Sequence, residues 1–154
     1  MNEVEVYKNI LTQVDGLTAN EDDLIANLAN TAAVLYNELD EVNWAGFYLW
    51  KDGELVLGPF QGKPACIRIA KGKGVCGTAL EKEQTLIVED VHQFPGHIVC
   101  DAESKSEIVV PIIVEGEVKG VLDIDSPILN RFNNIGKEYL TKIVKILVQR
   151  SRWS

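Results

Sequence analysis

Three cysteines, Cys66, Cys76 and Cys100, stand close together in a chain of 154 residues. An odd number of thiols cannot all pair inside one molecule, and a chain of this length buries a core without disulfide staples. A nucleophilic thiol, with one or two others to resolve its oxidised form, fits that count better than a structural framework. An isolated cysteine more often serves as a small buried hydrophobe. Cys100 departs from that pattern: in the run GHIVCDAESKSEIVVP it stands directly beside Asp101 and close to a Gly-His step. Zinc is the competing use of such residues, with His92 and His97 in the same region. The spacings contain no CxxC knuckle and no HxxxH pair, so no metal site is expected.

A second set of reactive groups comes from strand register. In EIVVPIIVEGEVKGVLDID, two alternating runs, 107–114 and 118–125, flank a Glu115-Gly116-Glu117 connection and read as an antiparallel hairpin. With a three-residue loop, Glu107 faces Asp125 and Val109 faces Asp123. Ile108, Val110, Ile112, Val114, Leu122 and Ile124 then form one apolar face, and Glu107, Asp123 and Asp125 lie together on the other. Like charges opposed in a ladder repel, and an ordinary solvated face would pair them with lysine. Val109, Pro111, Ile113 and Val121 share that face. Such a surface suits a small ligand with a cationic amine and an apolar part, or a carboxyl held protonated as a proton donor.

These groups need elements to position them. Val4, Tyr7, Ile10, Leu11 and Val14 share a face of a first helix. A second helix, with Asn20 as its expected cap, carries Leu24, Ile25, Leu28, Ala32, Leu35 and Leu39. The period then changes to two. NWAGFYLW (43–50), a Lys-Asp-Gly turn and ELVLG (54–58) read as a hairpin, with Trp44, Gly46 and Tyr48 on one side. ACIRIA and TLIVED read as short strands around a glycine-rich entry to a short helix, KGKGVCGTALEKE. A long turn-rich loop, 91–106, holds both histidines and Cys100. A final helix from Asn133 or Asn134 to Arg150 buries Ile135, Tyr139, Leu140, Ile143, Val144 and Leu147. Helices, antiparallel strands and a closing helix imply an α+β fold.

Composition narrows the function classes. With 46% hydrophobic and 25% charged residues, the chain has globular rather than disordered composition, and its length predicts one domain, 1–154. A net charge of −8 argues against a nucleic-acid partner, whose phosphates require a basic face. There is no apolar run of ~18 residues and no basic-then-apolar leader, so no membrane association is expected and the reducing cytoplasm is the expected location.

Five ordered segments, NWAGFY, LGPFQGKPACIRI, GKGVCGTA, IVEDVHQFPGHIVCDAESKSEIVVP and GVLDIDSP, resemble those of the free methionine-(R)-sulfoxide reductases, enzymes of the GAF fold. The resemblance covers nearly the whole chain and includes all three cysteines. It implies a single GAF domain, with an antiparallel sheet carrying helices on one face and a ligand pocket on the other. It implies thiol-dependent reduction of free methionine (R)-sulfoxide. Cys100 would be the nucleophile, passing through a sulfenic acid, and Cys66 and Cys76 the candidates to resolve it as a disulfide. Trp44 would receive the methyl end, with Tyr48 lining the same pocket, and Glu107, Asp123 and Asp125 would hold the amino group and the sulfoxide oxygen. No cofactor is implied; thioredoxin would be the reductant, and a homodimer is compatible with the resemblance. The alternative it leaves open is a GAF-type small-molecule or redox sensor.

Overall fold

The computed structural model describes residues 1–97 and 102–154. A six-stranded antiparallel sheet forms its centre, in the order β3-β2-β1-β6-β5-β4. Helices α1 (Glu3–Thr18) and α2 (Leu24–Glu38) precede β1 (Trp44–Lys51) and β2 (Glu54–Gly62). Then come β3 (Arg68–Ala70), α3 (Gly74–Lys82), β4 (Leu86–Val88), β5 (Ser106–Val114), β6 (Glu117–Ser126) and α4 (Asn134–Arg150). The α+β architecture inferred from sequence, an antiparallel sheet with helices, is borne out.

Polar caps fix where the helices begin. Asn2 and Asn133 accept backbone N–H groups of α1 and α4. Asp23, rather than the expected Asn20, caps α2 by accepting from Ala26 N at 2.9 Å. The buried stripe of α2 contains Leu28, Ala32 and Leu35, whereas Ile25 is exposed, because its position lies about 100° around the helix from Leu24. Ile135 of α4, also expected inside, is exposed for the same reason.

Alternation along the strands separates two cores. Ala45, Phe47, Leu49, Ile108, Val110, Ile112, Leu122 and Ile124 pack beneath α1, α2 and α4. On the opposite face, Trp44, Tyr48, Val109 and Val121 pack with Val75, Cys76, Ala79 and Leu80 of α3. Three helices therefore cover one face; among the described residues α3 stands over the other, joined by Val91 of a short 3₁₀ turn, and walls a pocket there.

The hairpin register holds at the carboxylates by a route other than the one expected. The connection is two residues, Glu115 and Gly116, both with positive φ, as a type I′ turn requires. A one-residue bulge at Lys119 follows: Ile113 pairs with Val118 but Ile112 with Gly120. Two turn residues plus one bulged residue place Glu107 opposite Asp125 and Val109 opposite Asp123, as a three-residue loop would. A bulge also lengthens β2 beyond Gly58. Gly46 pairs with Phe60 and Tyr48 with Leu57, so Pro59, which has no N–H to donate, sits at the irregularity. Among the described residues no helix is long and apolar enough to cross a membrane.

Candidate active site

Three neighbouring strands bring the chemistry together in rows. Trp44 pairs with Asp125, which pairs with Glu107; two residues along, Gly46, Asp123 and Val109 form the next row on the same face. The indole of Trp44 lies stacked between Phe60, 5.2 Å between ring centres, and Tyr48, 5.9 Å. Gly46 permits this, since a Cβ there would lie 2.3 Å from Phe60 Cβ and 2.9 Å from Trp44 Cη2.

Helix α3 supplies the opposite wall. A Cβ at Gly77 would lie 2.4 Å from the Ala70 carbonyl oxygen, so only glycine lets the first turn of α3 approach the end of β3 so closely. That approach delivers Cys76, 4% exposed, onto the carboxylates, with its Sγ 4.0 Å from Glu107 Oε2. Donor atoms of Cys76, Glu107 and Asp123 all lie within 4.8 Å of one another, the geometry of a potential metal-ligand set.

A cavity of about 50 Å³ opens between these walls. Trp44, Tyr48, Cys76, Glu107, Asp123 and Asp125 line it, together with Lys73, His97 and Ser104. Glu107 and Asp123 are only 7% and 5% exposed. Burial first, and then the charges of Asp123 and Asp125, push the Glu107 carboxyl well above the ordinary range. Burial also raises Asp123, but hydrogen bonds from Glu107, Asp125 and Cys76 oppose that rise. Burial thus favours the protonated form of both carboxyls. Asp123 Oδ1 is buried with no hydrogen-bond partner. The Cys76 thiol is pushed well up by burial and by Asp123, Glu107 and Asp125, so it stays protonated at neutral pH. His97 is lowered by burial and by His92.

The aromatic wall is also tied to the segment that carries Cys66. Trp44 Nε1 donates to the Lys63 carbonyl at 3.1 Å, and Tyr48 Oη to the Cys66 carbonyl at 2.8 Å. Cys66 is disulfide-bonded, whereas Cys76 is free. Cys100, the expected nucleophile, lies outside the described residues. Trp44, Tyr48, Cys76, Glu107, Asp123 and Asp125 converge on one pocket as expected, whereas Cys66 is not among the described residues lining it. Sequence reasoning missed Phe60, which buttresses Trp44, and Lys73 and Ser104, which reach the cavity from loop ends without any periodic signal. Phe60 could have been found from its place within LGPFQGKPACIRI.

Residues 23–147 match the GAF domain family. The free methionine-R-sulfoxide reductase of Escherichia coli (strain K12) is 51% identical over 144 residues, spanning 94% of this chain and 87% of that protein. The free methionine-R-sulfoxide reductase of Neisseria meningitidis, solved in complex with its substrate, superposes with a TM-score of 0.94. It is 46% identical and covers 97% of this chain and 90% of its own. The Staphylococcus aureus fRMsr, also in complex with substrate, gives a TM-score of 0.90 at 53% identity, covering 94% of each chain. A pocket walled by α3 on the open face of a six-stranded sheet defines a small-ligand GAF domain, and the chain belongs to the GAF family. Within that family it stands in the group that contains the free methionine-R-sulfoxide reductases.

Proposed function

We propose that this protein reduces free methionine (R)-sulfoxide to methionine by thiol chemistry. One observation carries the reading: a buried carboxylate trio, with an unpartnered oxygen on Asp123, faces an aromatic wall across a small cavity. Asp123 and Asp125 take the substrate ammonium by charge-assisted hydrogen bonds, and Trp44 and Tyr48 receive the methyl end. Glu107, the carboxyl that keeps its proton, donates it to the sulfoxide oxygen as general acid.

The thiol of Cys100 attacks the sulfoxide sulfur. Its sulfur takes up the oxygen, methionine leaves as the thioether, and Cys100 becomes a sulfenic acid. A second thiol then displaces hydroxide from that sulfur, forming a disulfide and releasing water. Cys66 suits this role because it is the cysteine of the described residues that carries a disulfide. An external dithiol such as thioredoxin resets the pair by exchange, itself becoming a disulfide, in a reducing compartment such as the cytoplasm. Enclosure of both the amino group and the sulfoxide leaves no path for a peptide chain, which accounts for a free amino acid as substrate.

Single-turnover release of methionine, without added reductant, tests the assignment. Cys66→Ser should give one full equivalent and then stop, whereas Cys100→Ser should give none. A full equivalent from the Cys100 variant would place the nucleophile elsewhere. Absence of any turnover of the R form by reduced wild type with thioredoxin and its reductase would remove the activity itself.

A further inference from the structure

Cys76 has no part in the reaction as proposed, yet α3 presses its thiol against two carboxyl groups at the floor of the pocket. We propose that Cys76, Glu107 and Asp123 form a binding site for a thiophilic divalent cation, Zn²⁺ foremost, and that the occupied site excludes the substrate. The exclusion rests on the reading of this pocket as the methionine sulfoxide site; the cation site itself does not.

The geometry comes first. Donors held tetrahedrally by one zinc ion at roughly 2.0–2.3 Å stand about 3.3–3.8 Å apart. Cys76 Sγ and Glu107 Oε2 are 4.0 Å apart, and all three donor atoms lie within 4.8 Å, so side-chain adjustments of up to about 1 Å complete the set. Each donor comes from a different regular element, α3, β5 and β6, which fixes their relative positions.

Electrostatics point the same way. All three side chains are buried, and Asp123 Oδ1 lacks a partner. Asp125 adds a further carboxylate to the lining. Among the described residues lining the cavity, Lys73 carries the only permanent positive charge. A divalent cation would partner the orphaned oxygen and offset the mutual repulsion of the carboxylates, and the displaced thiol and carboxyl protons would leave to solvent. The sulfur donor selects zinc over magnesium or calcium, which prefer all-oxygen shells. Three protein ligands leave a fourth position facing the cavity for water, in the space the substrate would need.

Isothermal titration of ZnCl₂ into reduced, chelator-treated protein tests the site, with Co²⁺ as a spectroscopic probe of thiolate coordination. Wild type should bind one ion per chain and show a thiolate-to-cobalt charge-transfer absorption. Cys66→Ser and Cys100→Ser should retain both. Cys76→Ser should lose the absorption and bind zinc at least about 100-fold more weakly, since loss of an outer-shell partner alone costs up to that much. Glu107→Gln should weaken zinc similarly while keeping the thiol, which covers the case of a misfolded cysteine variant. Methionine sulfoxide should raise the apparent Kd for zinc, and zinc should raise KM with kcat unchanged. Unaltered binding in folded Cys76→Ser, or no binding in wild type, would overturn the site. Zinc binding indifferent to a methionine sulfoxide that the metal-free enzyme turns over would overturn the exclusion. If the metal-free enzyme turns nothing over but the cobalt–thiolate absorption is intact, the metal site stands and the reductase reading falls.

Discussion

Glu107 and Asp125 face each other across the β5–β6 ladder, and each invites a substitution that keeps size and removes ionisation. Glu107→Gln and Asp125→Asn should each cost about 2 to 4 kcal/mol of transition-state stabilisation, about 30- to 1,000-fold in kcat/KM. For Asp125→Asn the melting temperature should rise or stay level, because a repelling charge has been neutralised; for Glu107→Gln that gain appears only at pH values where Glu107 is ionised in the folded protein. A structural salt bridge would respond the opposite way. Steady-state kinetics and thermal melts on the same variants check both halves, and unchanged kcat/KM in both would show that the trio does not serve the reaction. The trio is legible in the sequence because strand alternation is strict and carboxylates on a half-apolar face demand an explanation. Lys73 and Ser104 are not legible, since loop geometry, with no period, decides what they reach.

At the scale of elements, the β5–β6 hairpin shows how a wrong detail leaves the register right. Period two and the EGE connection are enough to pair Glu107 with Asp125. They do not reveal whether the odd residue sits in the turn or in the strand, because both solutions preserve the ladder beyond Gly120. Lys119, the bulged residue, lies beyond the end of the β1–β6 pairing, which closes at Leu49 and Gly120. Deleting Lys119 should therefore leave a straight two-residue hairpin with the site intact, and stability within about 1 kcal/mol of wild type. Deleting Val121 instead shifts the strand by one and turns Asp123 and Asp125 toward the helices. Burying two unpaired carboxylates costs several kcal/mol each, which exceeds most of a domain's stability of about 5–15 kcal/mol. Circular dichroism melts of the two deletions distinguish them; loss of fold in both would mean that the bulge itself is required.

For the whole molecule, the raised carboxyls link stability to pH. Glu107 and Asp123 keep their protons in the folded protein at pH values where the unfolded chain has already lost them. Stability from this source is thus complete below the ordinary carboxyl range, near 4, and is lost as pH rises through the folded values. Glu107→Gln removes the more strongly shifted of the two. In metal-free protein, the melting temperature of Glu107→Gln relative to wild type should therefore climb from pH 4 to pH 8. A gap that stays constant over that range would mean that Glu107 titrates normally.

The bond from Tyr48 Oη to the Cys66 carbonyl has a consequence for the lifespan of the enzyme. A sulfenic acid waiting for its resolving thiol is open to a second oxidation by peroxide, which yields a sulfinic acid that exchange with thiols does not reverse. In the reaction proposed above, whatever holds the Cys66 segment near the pocket would shorten that wait. Tyr48→Phe removes the tether, worth about 1 kcal/mol, so the exposed interval should lengthen about 5-fold. Counting sulfinic Cys100 by mass spectrometry per methionine formed, with hydrogen peroxide present, isolates this from any change in the first step. The variant should wear out in about one fifth as many turnovers; an unchanged count would mean that the tyrosine wall guards only the substrate and not the catalyst.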